Sequence, residues 1–161
     1  MIAWLVWFFV APHLFWLERW LVDVFGVPVQ FGLAVCFVLA LFVRTSALPG
    51  LLFGAAAASS LLGDGPIALH FLAFGLPVAV LIPLRTVFFR GAILWQGAAA
   101  AFLALAVPRV GQFFARLIGV TADSIVMPSG VGVMFAMLLV PGLAWVLRKT
   151  PPLRAFQEVS T

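Results

Sequence analysis

The chain has 161 residues, of which 65% are hydrophobic and 9% charged, with a net charge of +4. Soluble domains carry roughly 25% charged residues, so no polar shell can be assembled from this composition. The basic residues are scattered rather than clustered, which argues against nucleic acid as a partner and makes them markers of membrane topology.

Charge falls almost entirely at breaks between apolar runs, as hydrocarbon requires of a chain that crosses it as helices. Six spans are predicted, at 2–22, 29–43, 47–62, 66–84, 92–107 and 125–147, in one all-α transmembrane domain. Residues 148–161 form a short cytoplasmic tail. Spans two, three and five fall short of the ~20 residues of a full crossing, and pairing of spans two and three as a re-entrant hairpin would reduce the count to five. The first span has no basic segment before it and no clean cleavage site after it, so it is read as retained.

Span one is bulky on every side and reads as lipid-facing. Trp4 and Trp7 lie at one of its ends and Trp16 and Trp20 at the other, as indoles at an interface would. Trp95 and Trp145 mark the cytoplasmic ends of spans five and six. His13 follows Pro12 and is read as bonding a carbonyl that the proline frees. Glu18 and Arg19 are read as interfacial. Cys36, the single cysteine, is a small apolar residue in span two.

Span three is rich in small residues, with Gly50, Gly54 and Ala58 at four-residue spacing. Span five repeats the theme with Gly97 and Ala101, and span six has Gly132 and Ala136. In lipid, helices associate by close packing of such residues. Spans three, five and six are therefore expected to form the inner packing, and Gly50, Gly54, Ala58, Gly97 and Ala101 to be helix-packing or partner-interface positions. The breaks carry turn residues: Gly26-Val27-Pro28, Arg44-Thr45-Ser46, and Gly63-Asp64-Gly65-Pro66, with Pro66 suited to a first helical turn. Arg109, Gln112 and Arg116 share one face of the segment after span five. It reads either as a surface amphipathic helix or as an extension of that span. Pro151-Pro152 ends the last helix.

Sorting the basic residues by side gives Arg44, Arg85, Arg90, Arg148, Lys149 and Arg154 on one face, and Arg19, Arg109 and Arg116 among four acids on the other. Basic residues mark the cytoplasm, so both termini are predicted there. The sequence holds no metal-binding motif and no phosphate loop. Ser59 and Ser60 have only His70 as a possible base, and packing is the commoner role of such serines. No enzyme activity and no cofactor are expected.

The segment 60–72, Ser-Leu-Leu-Gly-Asp-Gly-Pro-Ile-Ala-Leu-His-Phe-Leu, resembles the hairpin of the rod shape-determining protein MreD family, which reads approximately Asp-Leu-Leu-Ser-Gly-Ser-Pro-Leu-Gly-Leu-His-Ala-Leu. Phe88-Phe89-Arg90 and Leu94-Trp95-Gln96 resemble the family's next loop and helix start. Ser60, Gly63, Asp64, Pro66 and His70 are the matched hairpin positions. The family's usual acid falls on Ser60, with Asp64 as a nearby substitute, and the glycine after the proline is Ala68. The resemblance implies a non-enzymatic scaffold of the bacterial inner membrane in the cell-wall elongation machinery. Such a protein binds a single-pass MreC and through it connects MreB filaments with RodA and its penicillin-binding transpeptidase. The alternative is the substrate-binding subunit of a vitamin (energy-coupling factor) transporter, which needs polar side chains converging on a cavity.

Overall fold

The computed structural model describes residues 2–25, 31–62, 65–85, 93–120 and 130–157. These are mostly helical, with no strand among them beyond one isolated bridge. The helices are α1 (Ile2–Phe25), α2 (Phe31–Phe42), α3 (Leu48–Leu62), α4 (Ile67–Leu81), α5 (Ile93–Ile118), α6 (Gly130–Leu147) and a short α7 (Pro151–Arg154). Three apolar stretches are long enough to cross a membrane: Thr45–Leu62, Leu94–Ile118 and Gly130–Leu147. The chain is accordingly a membrane protein by the length and composition of its helices. α1 is longer than two of these, but His13, Glu18, Arg19 and Asp23 dilute its hydropathy.

The centre of the fold is α2. Nine of its 12 residues are buried, among them Cys36. A helix that is apolar all round must be surrounded on all sides, and α2 touches α1, α3, α4, α5 and α6. Around it the other helices form an arc in which α1 packs on α3, α3 on α4, α4 on α5 and α5 on α6. The expectation that spans three, five and six form the interior is corrected here. α3 and α5 each contribute one face, and the interior helix is α2, whose small residues Gly32, Cys36 and Ala40 stand at four-residue spacing among bulky apolar ones.

The reading of α1 as lipid-facing is corrected in part. Phe9 and Leu5 are exposed, but Trp7 and Ala11 are fully buried. Trp7 donates its indole Nε1–H to the Leu51 carbonyl at 3.2 Å, so it is a core residue rather than an interface anchor. Pro12 leaves the Phe8 carbonyl without its helical donor. The His13 ring bonds the next carbonyl instead, that of Phe9, at 2.8 Å.

α5 is also longer than predicted. It runs through Pro108 to Ile118, so the face holding Arg109, Gln112 and Arg116 extends the helix. Proline within an apolar helix is tolerated where neighbours cover the freed backbone, and α1, α4 and α6 carry Pro12, Pro77 and Pro141 in the same way. The true stop is Gly119, at φ +76. Gly119 N–H bonds the Arg116 carbonyl and Val120 N–H the Ala115 carbonyl, closing the helix with a Schellman motif.

Candidate functional site

Two ends of the bundle collect its polar chemistry. At the first end lie Trp4, the α2–α3 turn, Arg85 and residues 153–157. Val43 pairs with Gln157 in an isolated antiparallel bridge, and the Trp4 and Phe156 rings lie 4.6 Å apart. Arg44 donates its backbone N–H to the Phe156 carbonyl at 3.0 Å and its Nε–H to the Gln157 carbonyl at 3.1 Å. Arg85 donates to the Val43 carbonyl at 3.3 Å. The Arg148 guanidinium sits 5.1 Å over the Phe42 ring, and the Lys149 ammonium 3.6 Å over Trp145. The segment after Pro151-Pro152 is thus folded back, with Leu153 buried, instead of trailing as a polar tail.

At the second end, Glu18 and Arg19 serve two helices other than their own. Glu18 Oε2 accepts the Gly32 backbone N–H at 2.8 Å, capping the start of α2. Arg19 donates to the Leu62 carbonyl at the end of α3. Each side chain satisfies a backbone group that the helix leaves open, and the Arg19 guanidinium also meets the negative end of the α3 dipole. The reading of both residues as merely interfacial missed this. No local motif reveals it, because the partners lie 14 and 43 positions away.

The α3–α4 hairpin occupies the same end. Ser60 Oγ donates to the Gly65 carbonyl at 2.8 Å, and Ser59 Oγ lies 3.1 Å from His70 Nδ1. Gly65 adopts φ +146, a conformation that favours glycine. Pro66 is the N-cap of α4 rather than a residue of its first turn. Ser60, Pro66 and His70 are therefore drawn into one small bonded unit. Gly63 and Asp64 lie outside the described residues, as do Phe88, Phe89 and Arg90. His70 Nε2 is buried and has no hydrogen-bond partner among the described residues.

The predicted small-residue positions separate into two groups. Gly50 and Gly54 receive rings from α1: a Cβ built on Gly50 would lie 2.6 Å from Trp4 Cη2, and one on Gly54 2.6 Å from Trp7 Nε1. Phe15 fills the same role at Gly32 of α2, at 2.9 Å. These glycines are seats for α1 within the same chain. Trp4 and Trp7 at three-residue spacing against Gly50 and Gly54 at four was a complementary pattern open to sequence reading. Ala58 is buried beside them. Gly97 instead faces Met137 of α6, whose carbonyl Pro141 leaves without its helical donor. A Cβ there would lie 3.6 Å from that oxygen, an ordinary contact. Ala101 is half-buried on α5.

No group of three or more His, Cys, Asp or Glu side chains gathers among the described residues. Ser59 and His70 are within hydrogen-bond distance, but the described residues place no acid behind the imidazole. What this end offers chemically is fixed helix termini and two helices joined by the Ser59–His70 bond.

No protein-family model, curated protein or solved structure matches this chain.

Proposed function

We propose that the protein is a non-enzymatic, MreD-like scaffold of the bacterial inner membrane. It crosses six times with both termini in the cytoplasm, and binds a single-pass MreC-like anchor that connects MreB with RodA and its penicillin-binding transpeptidase. The observation that supports this reading is the hairpin, where three of the matched positions, Ser60, Pro66 and His70, make bonds across or beside the turn. Ser60 holds the turn at Gly65, Pro66 starts α4, and His70 reaches back to Ser59. A hairpin braced in this way suits a docking element better than a flexible loop.

The placement of the termini adds support. The Trp4–Phe156 contact and the Arg44 bonds put the N-terminal helix, the 44–46 turn and the C-terminal segment at one end. The prevalence of basic residues there fits a cytoplasmic face. Because Gly50 and Gly54 seat α1, an MreC-like helix has to use another surface. The outward stripe of Val131, Met134, Leu138 and Trp145 on α6 is exposed and apolar.

The test is co-expression with the MreC-like anchor of the same organism, followed by purification through a tag on either protein. Stoichiometric recovery of the pair, with loss of rod shape on deletion of the gene, is the expected result. Failure to co-purify, together with thermal stabilisation of the isolated protein by a vitamin, would replace the scaffold with the transporter subunit.

A further inference from the structure

The last three turns of α5 carry a feature that the scaffold reading does not use. Arg109, Gln112 and Arg116 share one open face of the helix with Phe113 and Leu117. Between Ile93 and Pro108 the helix holds no charge. At 1.5 Å per residue its 26 residues span about 39 Å, against a hydrocarbon core of about 30 Å. Arg116 therefore reaches the headgroup layer, while Arg109, two turns earlier, lies at or just below the edge of the hydrocarbon.

A guanidinium at that depth requires an anion or hydrogen-bond acceptors. Every other described arginine of the two ends except Arg154 has a protein partner: Arg19, Arg44 and Arg85 bond carbonyls, and Arg148 covers a ring. Among the described residues neither Arg109 nor Arg116 has an acid, a carbonyl or a ring. Phe113 and Leu117, 61% and 65% exposed, continue this face with surface suited to acyl chain.

We infer that this face binds the phosphate headgroup of an anionic phospholipid, the two guanidiniums meeting the phosphodiester and Phe113 and Leu117 the start of an acyl chain. The planar guanidinium fork matches phosphate oxygens in pairs, which suits arginine to this task more than lysine. A lipid rather than free phosphate is the occupant because Phe113 and Leu117 give the site an exposed apolar part and it lies at the depth where lipid phosphates reside.

The test uses the full chain in nanodiscs of phosphatidylcholine doped with phosphatidylglycerol, with the co-retained lipid read by native mass spectrometry. Phosphatidylglycerol is expected to be enriched over phosphatidylcholine. At roughly fivefold per arginine near a charged headgroup, Arg109→Gln with Arg116→Gln should reduce that enrichment by roughly thirtyfold. Arg109→Lys with Arg116→Lys, which keeps both charges, should retain most of it, and serves as the control if the Gln pair does not fold. Equal retention of the two lipids by the unmodified protein would overturn the inference, as would unchanged enrichment in a folded Gln pair. Displacement of the lipid by millimolar inorganic phosphate would overturn the choice of a lipid. Membrane insertion is scored separately by carbonate extraction, so loss of the scaffold function and loss of the lipid site remain distinguishable.

Discussion

The two ends of the bundle solve the same problem by different means. At the end that holds both terminal segments, Arg44 binds a backbone carbonyl of the folded-back C-terminal segment, Arg85 binds the Val43 carbonyl beside it, and rings are covered by cations. At the opposite end, one acid and one base from neighbouring positions on α1 cap two other helices. The first arrangement fastens an appendage to the bundle, and the second fixes how the long helices meet. Charge at the edge of a membrane body can thus act as a clasp or as a frame, and the frame should matter more to stability.

The largest effect is expected between the two ends, where α1 sits on α3. Gly54→Leu would drive a side chain into Trp7, which is fully buried and has no room to withdraw. Overpacking costs about 1–3 kcal/mol, and with Trp7 fully buried this case should sit at the upper end; a fall in the melting temperature in mild detergent would report it. Gly97→Ala is the matched control and should be nearly silent, since its Cβ meets Met137 at ordinary contact distance.

Glu18→Ala should come next. It leaves the Gly32 N–H without an acceptor at the buried start of α2, a loss of about 1–2 kcal/mol. Glu18→Gln keeps an acceptor oxygen and should recover more than half of that, measured by the same thermal assay. Ser59→Ala removes one interhelical bond to His70, for which membrane helices set a scale of about 0.6 kcal/mol. A loss above about 2 kcal/mol would mean the hairpin carries more of the fold than its bonds suggest.

The smallest effect on global stability belongs to the clasp. Arg44→Gln removes the guanidinium bond to Gln157 and leaves the backbone bond to Phe156. Limited proteolysis should cut the segment after Thr150 faster, while the melting temperature stays nearly constant. If the melting temperature drops as far as for Glu18→Ala, the distinction between clasp and frame is lost.

Much of this architecture is legible in the sequence. The helices, the turn at Gly65-Pro66 and the sorting of basic residues toward Arg44, Arg85 and Arg148 follow from the exclusion of charge and open backbone from hydrocarbon. What the sequence hides is which apolar helix lies inside. α2 differs little in composition from a lipid-facing helix, because oil and a protein interior select the same side chains. The burial of Trp7 was hidden for a related reason: an indole near a helix end suits an interface, and only the glycine steps on α3 mark it as a core residue. Pro108 misled in the other direction, since a residue that stops helices in water does not stop one covered by its neighbours. The hairpin was legible as a motif, but the Ser59–His70 and Ser60–Gly65 bonds that brace it depend on how two helices face each other.

The central claim is that this is a membrane body whose two polar ends lie on opposite sides of a bilayer. Cys36, the only cysteine, is buried in α2 and leaves a clean background for thiol labelling. Ser46→Cys at the clasped end and Ile118→Cys at the end of α5 would each place one exposed thiol, to be challenged with a membrane-impermeant maleimide in intact spheroplasts. The account predicts labelling at position 118 at once and at position 46 only after permeabilisation. Labelling of both from the same side would contradict it.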